Sequence, residues 1–156
     1  MKITKLFRNR LSHVAVGTAA VMTVLFSGVG TAQADSIHVL RNYHTGRCID
    51  DSVEYGLRAF TCNGMDYQQW RAHWLNGLTA TLQNVHTGRC IDWSEAFGLR
   101  PFTCNGLDYQ QWNMGSGDDI YSRRNGINLD DSFEYGLRAF PRNNLDYQRW
   151  HWMNPA

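Results

Sequence analysis

The chain has 156 residues, which is the length of one domain. Its 15 basic residues nearly balance its 14 acidic residues, but after residue 34 eleven arginines and no lysine face fourteen acids. A mildly acidic domain lacks the basic surface that nucleic-acid binding requires, so we expect no nucleic-acid partner.

Residues 1–34 are predicted to be a secretory signal peptide. Basic residues come first, an apolar run extends from Val14 to Val29, and Ala32-Gln33-Ala34 offers a small-residue cleavage site before Asp35. An uncleaved membrane anchor is the alternative, but the apolar run is short for a bilayer span. No other stretch of the sequence is long and apolar enough to cross a membrane. We therefore expect a secreted, extracellular protein that does not insert into membranes.

Internal repetition is the strongest pattern in residues 35–156. Three blocks of 23 residues, at 48–70, 90–112 and 128–150, align without a gap. This pattern predicts one structural unit used three times, over about residues 36–74, 75–115 and 116–153. Eleven positions are identical in all blocks, and in the first block they are Asp50, Ser52, Gly56, Leu57, Arg58, Phe60, Asn63, Asp66, Tyr67, Gln68 and Trp70.

The four cysteines are expected to form two disulfides, each within one repeat. Two pairs share a spacing of fourteen residues: Cys48 with Cys62, and Cys90 with Cys104. In the third repeat both positions change together, to Asn128 and Arg142. Joint loss is what a bonded pair predicts, because a single leftover thiol would be reactive. Each bridge would close a loop of about fifteen residues, which stabilises the fold by about 3 kcal/mol.

Each repeat is predicted to contain about four short strands separated by turns. Residues 78–83 alternate apolar and polar side chains, and the preceding Asn76-Gly77 predicts a tight turn because this dipeptide readily takes positive φ. Gly115-Ser116-Gly117 occupies the same place in the next repeat. No sustained helical period follows Asp35. About twelve strands in all predict an all-β fold, and closure into a threefold barrel would remove exposed sheet edges.

Each block ends in Gln-x-Trp and begins with Cys-Ile-Asp or its third-repeat counterpart Asn128-Leu129-Asp130. With the Asn-x-x-Thr-Gly-Arg-Cys segment before the first two blocks, this pattern resembles the ricin-type β-trefoil lectins over residues 37–153. Within that family it is most similar to the actinohivin-like three-repeat lectins, which bind mannose-type glycans. The resemblance implies a β-trefoil with pseudo-threefold symmetry and one shallow sugar pocket in each repeat.

The resemblance also implies three sugar-contacting positions in each repeat: the aspartate after Cys-Ile, the asparagine after the second cysteine, and the tyrosine before Gln-x-Trp. A carboxylate accepts hydrogen bonds from sugar hydroxyls, an amide donates and accepts, and an aromatic ring covers an apolar sugar face. The alternative role for the aspartate is to cap a turn. The expected residues are Asp50, Asn63, Tyr67, Asp92, Asn105, Tyr109, Asp130, Asn143 and Tyr147.

Two further positions differ from the mannose-binding lectins. An arginine replaces a tyrosine four residues before the second cysteine, and a phenylalanine replaces a leucine two residues before it. The arginine would either clamp an anionic sugar or form an ion pair with Asp50 or Glu54, and the phenylalanine would form either pocket wall or core. We include these residues in the expected sites: Arg58, Phe60, Arg100, Phe102, Arg138 and Phe140.

The remaining repeated residues are expected to be structural. The tryptophans should form the core, and the glutamines should bond to backbone beside the pocket. These are Gln68, Trp70, Gln110, Trp112, Gln148 and Trp150. Asp66, Asp108 and Asp146 are expected to hold the preceding turn. Trp93 replaces an aspartate that the other repeats have at Asp51 and Asp131, and if this position lines the pocket rim, the second site should differ in affinity.

The sequence favours a binding protein over an enzyme. A glycosidase needs two carboxylates on either side of one bond, whereas Asp50 and Asp51 would point to opposite faces of a strand. No metal or other cofactor is expected, because the histidines do not have metal-ligand spacing; they are His38, His44, His73, His86 and His151.

We therefore expect a monomeric trivalent lectin that binds glycans or polysaccharides, including those on cell surfaces. The alternative is a trefoil adaptor or inhibitor that binds a protein partner, with sugar binding reduced or lost.

Overall fold

Twelve β-strands and three short 3-10 helices make up residues 34–156, the part of the chain that the computed structural model describes. The signal peptide predicted at residues 1–34 lies outside these residues except for its last position. Within the described part, no helix is long and apolar enough to span a membrane. The strands are β1 (Ser36–Asn42), β2 (Cys48–Ser52), β3 (Gly56–Phe60), β4 (Gln69–Trp74), β5 (Thr79–Asn84), β6 (Arg89–Ser94), β7 (Gly98–Thr103), β8 (Gln111–Met114), β9 (Ile120–Ser122), β10 (Asn128–Ser132), β11 (Gly136–Phe140) and β12 (Trp150–Met153). The 3-10 helices are Asp66–Gln68, Asp108–Gln110 and Asp146–Gln148.

Six of these strands close into a barrel. Strand β1 pairs with β4 and β12, β5 pairs with β4 and β8, and β8 pairs with β9. The ring is completed by a bridge between Asp119 and Arg149, and by a hydrogen bond of 2.8 Å from Trp150 N to Asp118 O. The other strands form three antiparallel hairpins, β2–β3, β6–β7 and β10–β11. The prediction of an all-β, pseudo-threefold β-trefoil with about twelve strands is confirmed.

The three tryptophans of the Gln-x-Trp triplets are fully buried in one hydrophobic cluster. Each indole N–H donates to a backbone carbonyl in the β2-type strand of its own repeat, so the polar end of a buried ring is satisfied. The pairs are Trp70 with Ile49 O, Trp112 with Ile91 O and Trp150 with Leu129 O, at 3.0, 3.0 and 3.1 Å. The same side chain thus fills the core and fixes the hairpin position in every repeat.

Two disulfides close loops in the first and second repeats, as their spacing predicts: Cys48–Cys62 and Cys90–Cys104. In the third repeat the Asn128 side chain is buried and donates to Gly126 O at 3.2 Å, whereas Arg142 is exposed.

The turn predicted at Asn76-Gly77 is present, but its conformation has a different cause. Gly77 does not adopt positive φ. Instead Asn76 Oδ1 accepts hydrogen bonds from the backbone N–H groups of Leu78 and Thr79, at 2.9 and 2.8 Å. The side chain of the asparagine therefore closes the turn, and the glycine is not needed for a left-handed conformation.

A buried ion pair joins the first repeat to the second. The Asp51 side chain is fully buried, and its carboxylate accepts hydrogen bonds from Arg89 Nη2 at 2.6 Å, Arg89 Nε at 3.0 Å and Thr87 Oγ1 at 2.5 Å. Arg89 also donates to the backbone carbonyl of Ser52 at 2.9 Å. A buried carboxylate is tolerated only when it is paired and hydrogen-bonded in this way. We call this arrangement the junction clasp.

The same clasp joins the third repeat to the first, where Asp131 accepts hydrogen bonds from Arg47 and Thr45. At the junction of the second repeat with the third, Trp93 replaces the aspartate and Ile127 replaces the arginine. Both charges are therefore lost together. A joint replacement avoids the unpaired buried charge that either single replacement would leave.

Replacement of Arg89 by methionine should destabilise the fold strongly, because it leaves the buried Asp51 carboxylate without its cation. We expect the free energy of unfolding to fall by about 3–5 kcal/mol, measured by urea denaturation. Arg41→Met is the matched control: Arg41 is exposed and donates only to Gly46 O among the described residues, so the loss should be below about 1 kcal/mol. Equal losses in the two variants would show that the clasp does not hold the junction.

Candidate functional site

Each repeat has an open pocket between the tip of its hairpin and its 3-10 helix. Site 1 in the first repeat has a volume of about 410 Å³, site 2 in the second about 280 Å³, and site 3 in the third about 340 Å³. At equivalent positions all three are lined by a serine, an arginine and a tyrosine; in site 1 these are Ser52, Arg58 and Tyr67. The three pockets are therefore built on one plan.

The aspartate expected to contact sugar is buried and paired with the arginine of its own hairpin. Asp50 is 2% exposed, and its Oδ1 accepts a hydrogen bond from Arg58 Nε at 3.2 Å. The two residues are direct cross-strand neighbours in β2–β3, so the strand register sets the pair. Of the alternatives for the arginine, the structure has the ion pair, with Asp50 as the partner. The equivalent pairs are Asp92 with Arg100 at 3.0 Å and Asp130 with Arg138 at 2.9 Å.

A glutamine holds the other carboxylate oxygen in two of the repeats. Gln68 Nε2 donates to Asp50 Oδ2 at 3.3 Å and to Thr61 O at 2.9 Å, while its Oε1 accepts from the backbone N–H of Asn63 at 2.9 Å. Gln110 makes the same bond to Asp92, at 3.1 Å. The glutamine thus ties the buried carboxylate to the loop that forms one side of the pocket.

Aromatic rings hold the arginine in place from both sides. The Arg58 guanidinium carbon lies 4.3 Å from the ring centroids of both Tyr55 and Phe60. Phe60 is 42% exposed, so it is not part of the core, and it flanks the arginine at the surface without lining site 1. Phe102 and Phe140 likewise do not line sites 2 and 3. This cation–π contact fixes the guanidinium over the buried carboxylate. The equivalent sets are Arg100 with Phe97 and Phe102, and Arg138 with Tyr135 and Phe140.

The expected asparagines and tyrosines lie beside this pair. Asn63 Oδ1 accepts from the backbone N–H of Met65 at 3.0 Å, so the oxygen is used to close the turn before the 3-10 helix. Its Nδ2 group makes no hydrogen bond within residues 34–156. The residues of this kind that line a pocket are Asn63 and Tyr67 in site 1, Asn143 and Tyr147 in site 3, and Tyr109 in site 2; Asn105 closes its turn but does not line site 2.

Sequence reasoning missed one wall of sites 1 and 3, because the next repeat supplies it. The His86 ring lies 4.0 Å from the Tyr67 ring in site 1, and the His44 ring lies 4.1 Å from Tyr147 in site 3. At the equivalent place in the second repeat, the Arg124 guanidinium lies 4.6 Å from the Tyr109 ring, but Arg124 does not line site 2. All three residues come two positions after the first residue of the segment that precedes each block.

A buried asparagine positions the histidine wall. Asn84 Nδ2 donates to Tyr67 O at 2.7 Å, and Asn84 Oδ1 accepts from the backbone N–H groups of His86 and Thr87 at 3.0 and 2.9 Å. Asn42 binds Tyr147 O and the His44 N–H in the same way for site 3. At site 2 the equivalent residue is Ser122, which makes no such bond to Tyr109 O within the described residues.

The hairpin tip of site 2 differs as well. Glu95 and Ala96 stand where the first repeat has Val53 and Glu54. Asn125 Nδ2 donates to Glu95 Oε1 at 2.9 Å, and the backbone N–H of Glu95 together with this amide lowers the pKa of the Glu95 carboxyl. Site 2 therefore carries a fixed carboxylate at its rim that sites 1 and 3 do not have at this position.

Trp93 does not line site 2; it packs against the hydrophobic core. The expectation that Trp93 alters the affinity of the second site required Trp93 to line the pocket rim, and Trp93 does not do so. Site 2 is distinguished by its hairpin tip and because no described residue of the third repeat lines it.

Asp66, Asp108 and Asp146 begin the 3-10 helices and carry exposed side chains. Asp66 pairs with His86 at 3.1 Å and Asp108 with Arg124 at 3.3 Å. Asp66 and Asp108 therefore contact residues of the next repeat, in addition to any role in the preceding turn. Asp146 instead pairs with Arg149 of its own repeat at 3.3 Å.

Several solved structures share this fold at low sequence identity. A designed threefold symmetric protein, ThreeFoil, aligns with a TM-score of 0.67 and 23% identity, over 76% of this chain and 98% of that chain. The β-trefoil lectin of Vibrio vulnificus hemolysin/cytolysin, solved with N-acetyl-D-lactosamine bound, aligns with a TM-score of 0.63 and 19% identity, over 80% and 98% of the two chains. An exo-beta-1,3-galactanase from Clostridium thermocellum aligns with a TM-score of 0.66 and 23% identity, over 76% of this chain but only 30% of that chain. At these identities the likeness establishes the fold alone.

No curated protein matches the chain in sequence. The sequence profile of the ricin-type beta-trefoil lectin domain matches residues 36–152, which includes all twelve strands except the last residue of β12. Family membership supports carbohydrate binding as the activity of the domain and does not point to catalysis. On the strength of this match, the chain belongs to the ricin-type β-trefoil lectin family.

Proposed function

We propose that the protein is a secreted, monomeric, trivalent lectin with one shallow sugar pocket in each repeat. The observation that carries this proposal is the repetition of an open pocket, lined by the same serine, arginine and tyrosine positions, in all three repeats. The signal-peptide pattern and the two disulfides support secretion, because disulfides persist in oxidising compartments.

The charge of the pockets favours a neutral sugar. The Arg58 guanidinium is already paired with the buried Asp50 carboxylate, so the two charges cancel and an anionic sugar would gain little from them. Glu54 also lines site 1 and would repel an anion. What remains for a ligand is the guanidinium Nη donors, the Asn63 amide and the Tyr67 ring. Mannose-type glycans are the first candidates, because they are neutral and because the repeat pattern resembles mannose-binding lectins.

The buried aspartate is assigned a positioning role. Asp50 lines site 1 but is almost fully buried, and its Oδ1 is bonded to the arginine that flanks the pocket. Its main effect is to orient the Arg58 donors toward a ligand. The same assignment applies to Asp92 and Asp130.

A protein-binding adaptor or inhibitor is the second candidate, and exposed apolar residues at the hairpin tips favour it. Val53 is 80% exposed, Phe97 is 68% exposed and Phe133 is 71% exposed. Side chains of this kind are common at protein interfaces.

A glycan array separates the two candidates. The triple variant Tyr67→Ala, Tyr109→Ala, Tyr147→Ala removes one wall from every pocket, without leaving a buried charge unpaired as replacement of the aspartates would. We expect binding of the wild type to be lost in this variant and kept in Tyr121→Ala, a control outside the pockets, with circular dichroism checking that all variants fold. Undiminished binding by the triple variant would place the sugar elsewhere. An empty array for the wild type, with a specific protein captured, would support the adaptor.

Trivalent binding should appear as a preference for polyvalent ligands. A one-sugar pocket reaches about millimolar affinity, or about −4 kcal/mol, and simultaneous use of several pockets multiplies apparent affinity by about 10²–10⁴. In an inhibition assay, the sugar selected on the array should therefore be far weaker free in solution than on a polymer, per mole of sugar. Equal potency would argue against multivalent use.

Site 2 should bind more weakly than site 1, because His86 of the next repeat lines site 1 and no described residue of the third repeat lines site 2. Variants that retain one intact site, Tyr109→Ala/Tyr147→Ala for site 1 and Tyr67→Ala/Tyr147→Ala for site 2, allow the comparison by calorimetry with the selected sugar. We expect a Kd about fivefold higher for site 2, the equivalent of one hydrogen bond of about 1 kcal/mol. The double change Ser122→Asn/Arg124→His, which introduces the residues found at Asn84 and His86, should narrow the difference. Indistinguishable Kd values would contradict the role of the histidine wall.

A further inference from the structure

A fourth cavity, which adjoins site 3 at Leu145, lies in the third repeat where β8 turns into β9. It has a volume of about 300 Å³. Its lining includes Gly117 and Asp119 from the turn, Arg142 and Asn144 from the loop after β11, and Arg149 before β12. Two of these residues are arginines, whereas each pocket beside a hairpin is lined by one.

The charged residues are peculiar to this repeat. Strand pairing aligns the bridge between Asp119 and Arg149 with the pairs Val39–Gln69 and Thr81–Gln111 of the other repeats. Arg142 and Asn144 stand where the other repeats have disulfide-bonded cysteines and glycines, and Asn144 keeps the positive φ of those glycines, at 58°. Four neighbouring positions that hold uncharged residues in the first two repeats therefore hold three charged residues and an asparagine in the third.

Stability does not account for this set. Arg142 Nη2 lies 3.4 Å from Asp119 Oδ2 but donates no hydrogen bond to it, and the Arg142 side chain is 60% exposed. An exposed ion pair of this kind stabilises a fold by about 0–1 kcal/mol. The disulfide that it replaces would contribute about 3 kcal/mol. The charges are thus a poor substitute for the lost bridge.

Asp119 is held in a position that leaves one oxygen unsatisfied. The residue is 7% exposed, and among residues 34–156 no hydrogen bond reaches its Oδ2. The carboxylate lies against the backbone of Gly115, where an added Cβ would come within 1.8 Å of Asp119 Oδ1, so the glycine makes room for it. A buried oxygen without a donor is costly, and a ligand hydroxyl would satisfy it.

The two arginines offer donors to an anion. Arg149 Nε donates to Gly117 O at 3.1 Å and its Nη1 reaches Asp146 Oδ1 at 3.3 Å, while Arg142 Nε donates to Asn144 Oδ1 at 3.0 Å. Arg149 Nη2 and Arg142 Nη1 have no hydrogen bond within the described residues. Each arginine already lies near one carboxylate, Asp119 for Arg142 and Asp146 for Arg149, but both arginines are exposed, unlike Arg58 over its buried partner. Their free Nη groups can therefore bind a ligand carboxylate.

We propose that this cavity is a fourth binding site, selective for a sugar acid. The ligand carboxylate binds the guanidinium groups of Arg142 and Arg149, and a ligand hydroxyl donates to Asp119 Oδ2. The volume is at the lower end for ligand pockets and suits one hexuronic acid residue. This site uses none of the serine, arginine and tyrosine positions that line sites 1 to 3, so either proposal can fail without the other.

The test uses glucuronic acid as the probe, with glucose and acetate as matched controls. Binding of each compound is measured from the NMR chemical-shift changes of the Gly117 and Asp119 amides. Two variants restore residues that the second repeat already carries at these positions: Asp119→Thr, as Thr81, and Arg149→Gln, as Gln111. Because the fold accommodates these residues elsewhere, both variants should fold. Circular dichroism verifies this.

We expect glucuronic acid to bind the wild type with about millimolar Kd and each variant at least tenfold more weakly, with no matching shifts from glucose. Acetate should bind more weakly than glucuronic acid, because it has no hydroxyl for Asp119. Three results would overturn the proposal: absence of shifts at Gly117 and Asp119, equal affinity in the folded variants, or acetate binding as tightly as glucuronic acid.

Discussion

Two adjacent carboxylates on one strand connect the fold to the pockets. Because neighbouring residues of a strand point to opposite faces, Asp50 meets Arg58 beside the pocket and Asp51 meets Arg89 of the next repeat. Both aspartates are buried, so each requires its arginine. A single strand therefore orients a pocket-lining guanidinium on one side and joins two repeats on the other.

The junctions between repeats also decide how alike the pockets are. The clasp and the asparagine anchor are present at the junctions that complete sites 1 and 3. At the junction between the second and third repeats, both are replaced, by Trp93 with Ile127 and by Ser122, and no described residue of the third repeat lines site 2. The differences of site 2 thus follow from one altered junction and not from the residues of its own hairpin alone. Pseudo-threefold symmetry of the backbone does not imply three equivalent pockets.

Contacts within a repeat could be predicted from the sequence, and contacts between repeats could not. In the third repeat Asn128 and Arg142 replace both cysteines together, and this indicated the disulfides. The alternation of side chains along β2 separated Asp50 from Asp51. The partner of Arg58 remained open because the choice between Asp50 and Glu54 depends on the exact strand register. His86 was missed because its proximity to Tyr67 exists only once the second repeat is docked on the first.

Sites 1 and 3 are each shared between two repeats, since the histidine that contacts Tyr147 or Tyr67 belongs to the neighbouring unit. A lone forty-residue module could fold neither a closed barrel nor a complete recess of this kind. A separate peptide of this length would complete such a pocket only by assembling with further copies of itself. Because one chain holds all three repeats, their assembly does not depend on protein concentration, and the residues at each interface can differ.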